Sequence, residues 1–305
     1  MKRGAAGGGA AIAALIALAG CASPSAPVPS SAPPAAPPAA DTTPRARPLP
    51  PGDFVLDGAT IQGGILRGTV PAGTTALSFD GASVPFAPDG RFLIAFDRDA
   101  GPGASLAAIR SDGSVVTRTL SVAPRDWQIE RLNTLPRFPQ PSPEFARRRP
   151  AELAQIAAAR DRQTDAQGWR QQFIWPATGR ISGRFGSQRI YKGEPGAYHS
   201  GVDVAKPEGA VVAAPADGVV ILAADHPFTL EGNLLMIDHG MGLNSAFLHL
   251  SRIDVRVGDH VRQGQPIGRV GHTGRATGPH LHWGMKWRDS RIDPLLVAGT
   301  MPAGN

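Results

Sequence analysis

The sequence predicts a mainly β protein, on three observations. Residues 53–123 carry short runs of β-forming residues: Phe54-Val55-Leu56, Ile65 to Val70, Ala76 to Phe79, Val84-Pro85-Phe86 and Arg91 to Phe96. Tight-turn pairs punctuate them at Asp80-Gly81, Asp89-Gly90 and Asp112-Gly113. From about Phe173 the same texture returns, with no strong helical period. Between the two, residues 124–172 read as a partly helical connector.

The chain has 305 residues, a soft prior for two domains. Its first twenty residues look like a secretory leader: Lys2 and Arg3, then an apolar run from Ala10 to Ala19, too short for a membrane span. Leu18-Ala19-Gly20-Cys21 resembles the lipobox of bacterial lipoproteins. That resemblance implies cleavage after residue 20, lipidation at Cys21 and a membrane anchor. Ala22, where an Asp would signal otherwise, points to the outer membrane, so the expected place is the periplasmic side of the cell envelope. Cys21 is the only cysteine, which excludes a disulfide framework and a Cys-rich metal site.

Residues 21–52 read as a tether. Positions 22 to 52 hold 11 Pro and 8 Ala, a composition that builds no core and favours extended polyproline conformation. At about 3.1 Å per residue it reaches up to roughly 95 Å. Formal charge is +6, falling to +4 once Lys2 and Arg3 leave with the leader. A mild positive charge suits a partner among anionic envelope polymers, and with export it excludes nucleic acid.

Residues 53–123 form a small all-β domain, read as a sandwich from strands at close spacing. Ser105 to Val122 reads as a hairpin about Ser111-Asp112-Gly113. No catalytic constellation occurs there, and no histidine precedes His199. In the connector, Ser142-Pro143-Glu144 resembles a helix start, with Ser as cap and Pro in the first turn. A second helical stretch, Ala151 to Arg162, has a narrow apolar face of Leu153, Ile156 and Ala157, which must dock on a neighbour. Arg147-Arg148-Arg149 reads as a solvated helix face. Beyond Phe173, strands are expected at Ala210 to Ala213, Gly218 to Ala223, Leu234 to Ile237, Asn244 to Leu250, Ile267 to Val270 and His280 to Trp287.

All eight histidines lie between residues 199 and 282. In His280-Leu281-His282 a strand would set both imidazoles on one face, Cα atoms about 6.6 Å apart, with Leu281 toward the core. His199 and Asp203 stand four apart, too far for one metal if fully extended, so a bend near Gly201 is required. Together these spacings supply an Asp and three His, more than a zinc site needs. Alternation over Ala246, Leu248 and Leu250 would set Phe247 and His249 on the opposite face, turned toward the metal. His226, His260 and His272 read as loop residues and His239 as a turn residue.

His199-x-x-x-Asp203, Phe247-Leu248-His249-Leu250 and His280-Leu281-His282 together resemble the M23 peptidases, the lysostaphin and LytM-type zinc endopeptidases. Ile181 to Gly186 and Gly271 to Trp283 look like the opening and closing segments of that family, so the resemblance covers about residues 173–298. It implies a small antiparallel β peptidase domain that cuts peptide bonds in peptidoglycan. It implies one zinc ion on His199, Asp203 and His282, with His249 and His280 as the catalytic pair. The favoured bond joins meso-diaminopimelate to D-alanine. The alternative is a non-enzymatic, peptidoglycan-binding or amidase-activating envelope protein, but such relatives lack several of these five residues. Two departures stand out: Phe247 where a Tyr is frequent, and a long segment Asp225 to Glu231 ahead of Gly232-Asn233.

Overall fold

The computed structural model describes residues 52–134 and 142–302. The expected leader, Cys21 and all but the last residue of the tether lie outside them. No helix among the described residues is long and apolar enough to cross a membrane.

The first part of the described chain is built of strands β1 (Val55–Asp57), β2 (Ile65–Thr69), β3 (Thr74–Phe79), β4 (Ala82–Ser83), β5 (Arg91–Ala95), β6 (Gly103–Arg110) and β7 (Val115–Ser121). They make two antiparallel sheets, β1-β2-β5 and β4-β3-β6-β7. In β6 alternate residues Ala104, Leu106 and Ala108 are buried, the period-2 signature of a one-sided strand. The β6–β7 hairpin turns at Gly113, with φ +81°, where a side chain would be strained. The expected strand at Val84-Pro85-Phe86 does not form; pairing ends at Ser83, before Pro85, which has no N–H to donate.

The connector holds one short strand, β8 (Ile129–Leu132), and one continuous helix, α1 (Pro143–Arg160). The two expected helical stretches are therefore one. Ser142 caps it by accepting from the Phe145 N–H at 3.1 Å, and Pro150 sits inside it. The buried face is Glu152, Ile156 and Ala159 rather than the expected Leu153 and Ala157; Leu153 is 48% exposed.

The second part comprises β9 (Arg180–Gly183), β10 (Gln188–Tyr191), β11 (Glu194–Pro195), β12 (Gly201–Ala205), β13 (Val211–Ala213), β14 (Gly218–Ala223), β15 (Asn233–Gly240), β16 (Leu243–Leu250), β17 (Arg252–Ile253), β18 (His260–Val261), β19 (Pro266–Arg269), β20 (His280–Trp287) and β21 (Ser290–Ile292). The main sheet runs β18-β14-β15-β16-β20-β12-β9, with β21 beside β20, and its pairings are antiparallel. One face buries Val202, Val204, Leu235, Phe247, Leu281 and Trp283 in a core shared with Phe92, Ile94 and Leu106 of the first part. Helix α1 packs Ile156 and Ala159 on Leu222, Leu234, Met236 and Ala246. It thus covers part of the other face, and the histidines occupy the remainder.

Candidate metal centre

Register places the site. In the β12–β20 ladder Asp203 stands directly opposite His282, and in β16–β20 Leu248 stands opposite the same histidine. Directly opposed residues carry their side chains on one face of the sheet. Leu281 and Trp283, the neighbours of His282, are fully buried on the core face, as a strand reading of His280-Leu281-His282 requires. His199 lies just before β12, held by its backbone N–H to the Ser187 carbonyl and by its carbonyl to the Gly186 N–H. The chain bends there, and its imidazole meets Asp203.

Three donor atoms converge. Asp203 Oδ1 lies 3.0 Å from His199 Nε2 and 2.9 Å from His282 Nδ1, and the two nitrogens are 3.0 Å apart. His199 donates its Nδ1–H to the Arg184 carbonyl at 3.1 Å, which leaves Nε2 as a bare lone pair. That lone pair therefore faces a carboxylate oxygen and a second imidazole nitrogen. A proton or a metal cation among the three atoms relieves that crowding, and two imidazoles with one carboxylate are a fitting donor set for zinc. Two glycines make the space. A Cβ at Gly183 would come within 2.2 Å of Asp203 Oδ2, and one at Gly201 within 2.7 Å of His282 Nε2.

The charges agree. Asp203 is partly buried, which opposes ionisation, yet the imidazoles of His199 and His282 set against it hold its carboxyl far below the usual range. Burial lowers the His282 pKa, only partly offset by Asp203. For His199 burial is outweighed by Asp203, and its pKa is raised.

His249 and His280 complete the cluster. Their rings are 4.8 Å apart, and His280 Nε2 is 3.8 Å from Asp203 Oδ1. Each donates its Nδ1–H to a backbone carbonyl at 2.8 Å, His249 to Thr273 and His280 to Gly278. Both Nε2 atoms are thereby left as acceptors. Burial pushes His249 down to about 4. All five residues singled out from the sequence therefore lie together.

The route of His249 to the cluster differs from expectation. Simple alternation puts it on the face of Phe247, but Phe247 is fully buried in the core. The β15–β16 ladder shifts register between Asn233 and Leu235, and His249 takes φ +64°. This bulge turns the imidazole to the face of Leu248 and His282. A left-handed non-glycine residue is a strain of the kind that clusters at functional sites.

Two further expectations are corrected. His239 is a fully buried strand residue, donating Nδ1–H to the Asp217 carbonyl at 2.8 Å and accepting from Ser245 Oγ at 2.9 Å. The arginine run is only partly solvated: Arg149 makes two hydrogen bonds to Glu231, and Arg148 donates to the Pro227 carbonyl at 2.6 Å. Residues that spacing could not single out are the backbone acceptors Arg184, Thr273 and Gly278. They act through carbonyls that every residue type carries.

An antiparallel sheet bearing a His-Asp-His cation site with two further histidines defines a candidate single-metal hydrolase centre. Residues 197–294, about a third of the chain, match the family model Peptidase family M23. It is similar to Peptidoglycan DD-endopeptidase ShyA of Vibrio cholerae, 44% identical over 117 residues, which are 38% of this chain and 27% of that protein. It is also similar to DD-carboxypeptidase/endopeptidase Mpg of Neisseria meningitidis, 40% identical over 104 residues, 34% of this chain and 24% of that protein. The chain thus spans about a quarter of the length of these curated relatives. A solved peptidase M23 structure from Pseudomonas aeruginosa superposes with TM-score 0.60 at 29% identity, covering 79% of this chain and 95% of that one. That likeness extends the shared architecture well ahead of residue 197.

Proposed function

We propose that this protein is a zinc-dependent endopeptidase that hydrolyses peptide crosslinks in peptidoglycan, with the bond from meso-diaminopimelate to D-alanine as the favoured target. The observation that carries the reading is the convergence of His199 Nε2, Asp203 Oδ1 and His282 Nδ1 on one point, with His249 and His280 beside it. The family-model match over residues 197–294 and the names of the relatives, DD-endopeptidase and DD-carboxypeptidase/endopeptidase, support the substrate class.

His199, Asp203 and His282 would hold one zinc ion, which when bound would supply Lewis acidity toward the scissile carbonyl and lower the pKa of water toward about 7. The chain does the rest. Thr273 and Gly278 fix the tautomers of His249 and His280, so each presents a bare Nε2 to the reacting atoms. One of the two takes the proton of the attacking water. The other, once protonated, hydrogen-bonds the developing oxyanion or hands its proton to the leaving amine. Burial keeps His249 neutral at physiological pH, ready to accept.

A lipid at Cys21 and the Pro/Ala-rich segment that follows it would hold the enzyme at the membrane with its peptidase domain at the wall. A purely amidase-activating role has less support, because all five polar residues are present and gathered.

The test is digestion of crosslinked peptidoglycan by the zinc-loaded protein, read by mass spectrometry beside His249→Ala. Conversion of crosslinked dimers to monomers by the wild type alone supports the proposal, and the masses identify the bond. No conversion by either protein contradicts it.

A further inference from the structure

Beside His282 the sheet opens into a cavity of about 100 Å³ between β16, β20 and helix α1. Its apolar floor is unremarkable for a space under a helix, but its polar lining is not. Asn244 is only 5% exposed, yet its side chain, turned into this cavity, makes no hydrogen bond among the described residues. Arg160, at the end of α1, also donates none, and its buried Nε has no partner. Lys286 Nζ makes one ion-pair contact, with Asp289 Oδ1 at 3.8 Å, and Asp289 is fully exposed; Asp97 is a second, more distant acid. Arg291 adds a further positive charge at the rim.

Left as it stands, the Arg160 Nε–H is costly: a buried donor without an acceptor loses its water and gains nothing. The cations also oppose one another: burial lowers the pKa of Arg160, as does Arg291, and burial lowers that of Lys286, as does Arg160; Glu231 and Asp289 for Arg160, and Asp289 and Asp97 for Lys286, offset this only in part. Glu231, the one acid in the lining, is engaged by two hydrogen bonds from Arg149. Asp97 stands near the rim, where it accepts from the Arg291 backbone N–H at 2.8 Å. The unmet demand in the cavity is therefore for an anion that also accepts from an amide.

We propose that this cavity is a carboxylate-recognition subsite, in which Arg160, Lys286 and Asn244 bind a free carboxylate of the substrate peptide while the scissile bond lies at the His199–Asp203–His282 centre. The inference rests on the peptidase reading for the identity of that peptide. His282 lines the cavity, so a ligand seated there sits within one residue's reach of the metal ligands. Arg160 belongs to α1, outside the 197–294 segment of the family match, so the subsite is assembled from the connector and the peptidase domain together. A carboxylate takes hydrogen bonds from both cations and from the Asn244 amide, whereas a carboxamide forfeits the charge.

The test separates binding from turnover. Full-length His249→Ala protein is titrated by calorimetry with a diaminopimelate-containing stem tetrapeptide and with the same peptide carrying its free carboxylates as carboxamides. The expected result is at least about tenfold tighter binding of the carboxylate form, one charge-assisted hydrogen bond or more. That preference disappears in Lys286→Met and in Arg160→Met and survives in Lys286→Arg, which keeps the charge and shows that the fold is intact. Equal binding of the two forms, no binding of either, or a preference that persists in the Arg160→Met, Lys286→Met double variant overturns the subsite. Wild-type turnover of the crosslinked peptides is scored separately. A carboxylate preference in binding without turnover overturns the peptidase reading and leaves the subsite standing; turnover without a preference does the reverse.

Discussion

Arg149 on helix α1 grips Glu231 with two hydrogen bonds of 2.6 and 2.8 Å, and the carbonyl of that same Glu231 accepts the backbone N–H of His249 at 2.8 Å. The helix is thus connected to the strained histidine through one residue. Glu152 reinforces the link by accepting from the Thr229 N–H at 2.8 Å and its hydroxyl at 2.6 Å. The long segment Asp225 to Glu231 is in this way tied to the helix instead of being a free loop.

Arg149→Met should therefore leave the buried Glu231 without its cation. We expect a loss of about 2 kcal/mol in stability, since breaking a partly buried charged pair costs more than a surface one. Turnover should fall while zinc content stays unchanged. Chemical denaturation and metal analysis of the same preparation check both.

Gly183→Ala tests the packing around the carboxylate. The added methyl has nowhere to go but against Asp203 Oδ2, whose other oxygen is fixed by His199 and His282. Zinc affinity should drop by about 10- to 100-fold, the usual effect of disturbing what orients a ligand. Competition with a chelator of known affinity measures it. An affinity equal to wild type would mean that Asp203 is free to shift.

His239 gives the fold a pH dependence. Burial holds its pKa at about 4, against 6.5 in the unfolded chain. Between these values the unfolded state binds the extra proton, so stability is complete above pH 6.5 and declines as pH falls. The loss reaches roughly 3 kcal/mol near pH 4. His239→Gln should flatten the slope of stability between pH 6.5 and 4, as followed by denaturant titrations at several pH values. An unchanged slope would assign the effect elsewhere.

The strands and the five polar residues were legible in the sequence because each signal is local. Alternation marks a strand, and His280-x-His282 needs only a strand to share a face. The turn at Asp112-Gly113 and the Ser142 cap are equally local. What escaped depends on partners far along the chain. His249 reaches the site through a bulge, which alternation cannot foresee. Arg149 finds its partner at Glu231, 82 positions away, so a run of arginines looked merely solvated. His239 looked like a turn beside Gly240, yet its place is set by Asp217 and Ser245 across the sheet. Pro85 ended a strand that its apolar neighbours favoured.

The most direct measurement is the zinc content of the purified wild type, His199→Ala and His249→Ala, taken with their turnover of crosslinked peptidoglycan. One zinc per chain is expected in wild type and His249→Ala, little or none in His199→Ala, and turnover by the wild type alone. Full zinc occupancy in His199→Ala, or undiminished turnover by His249→Ala, would contradict this.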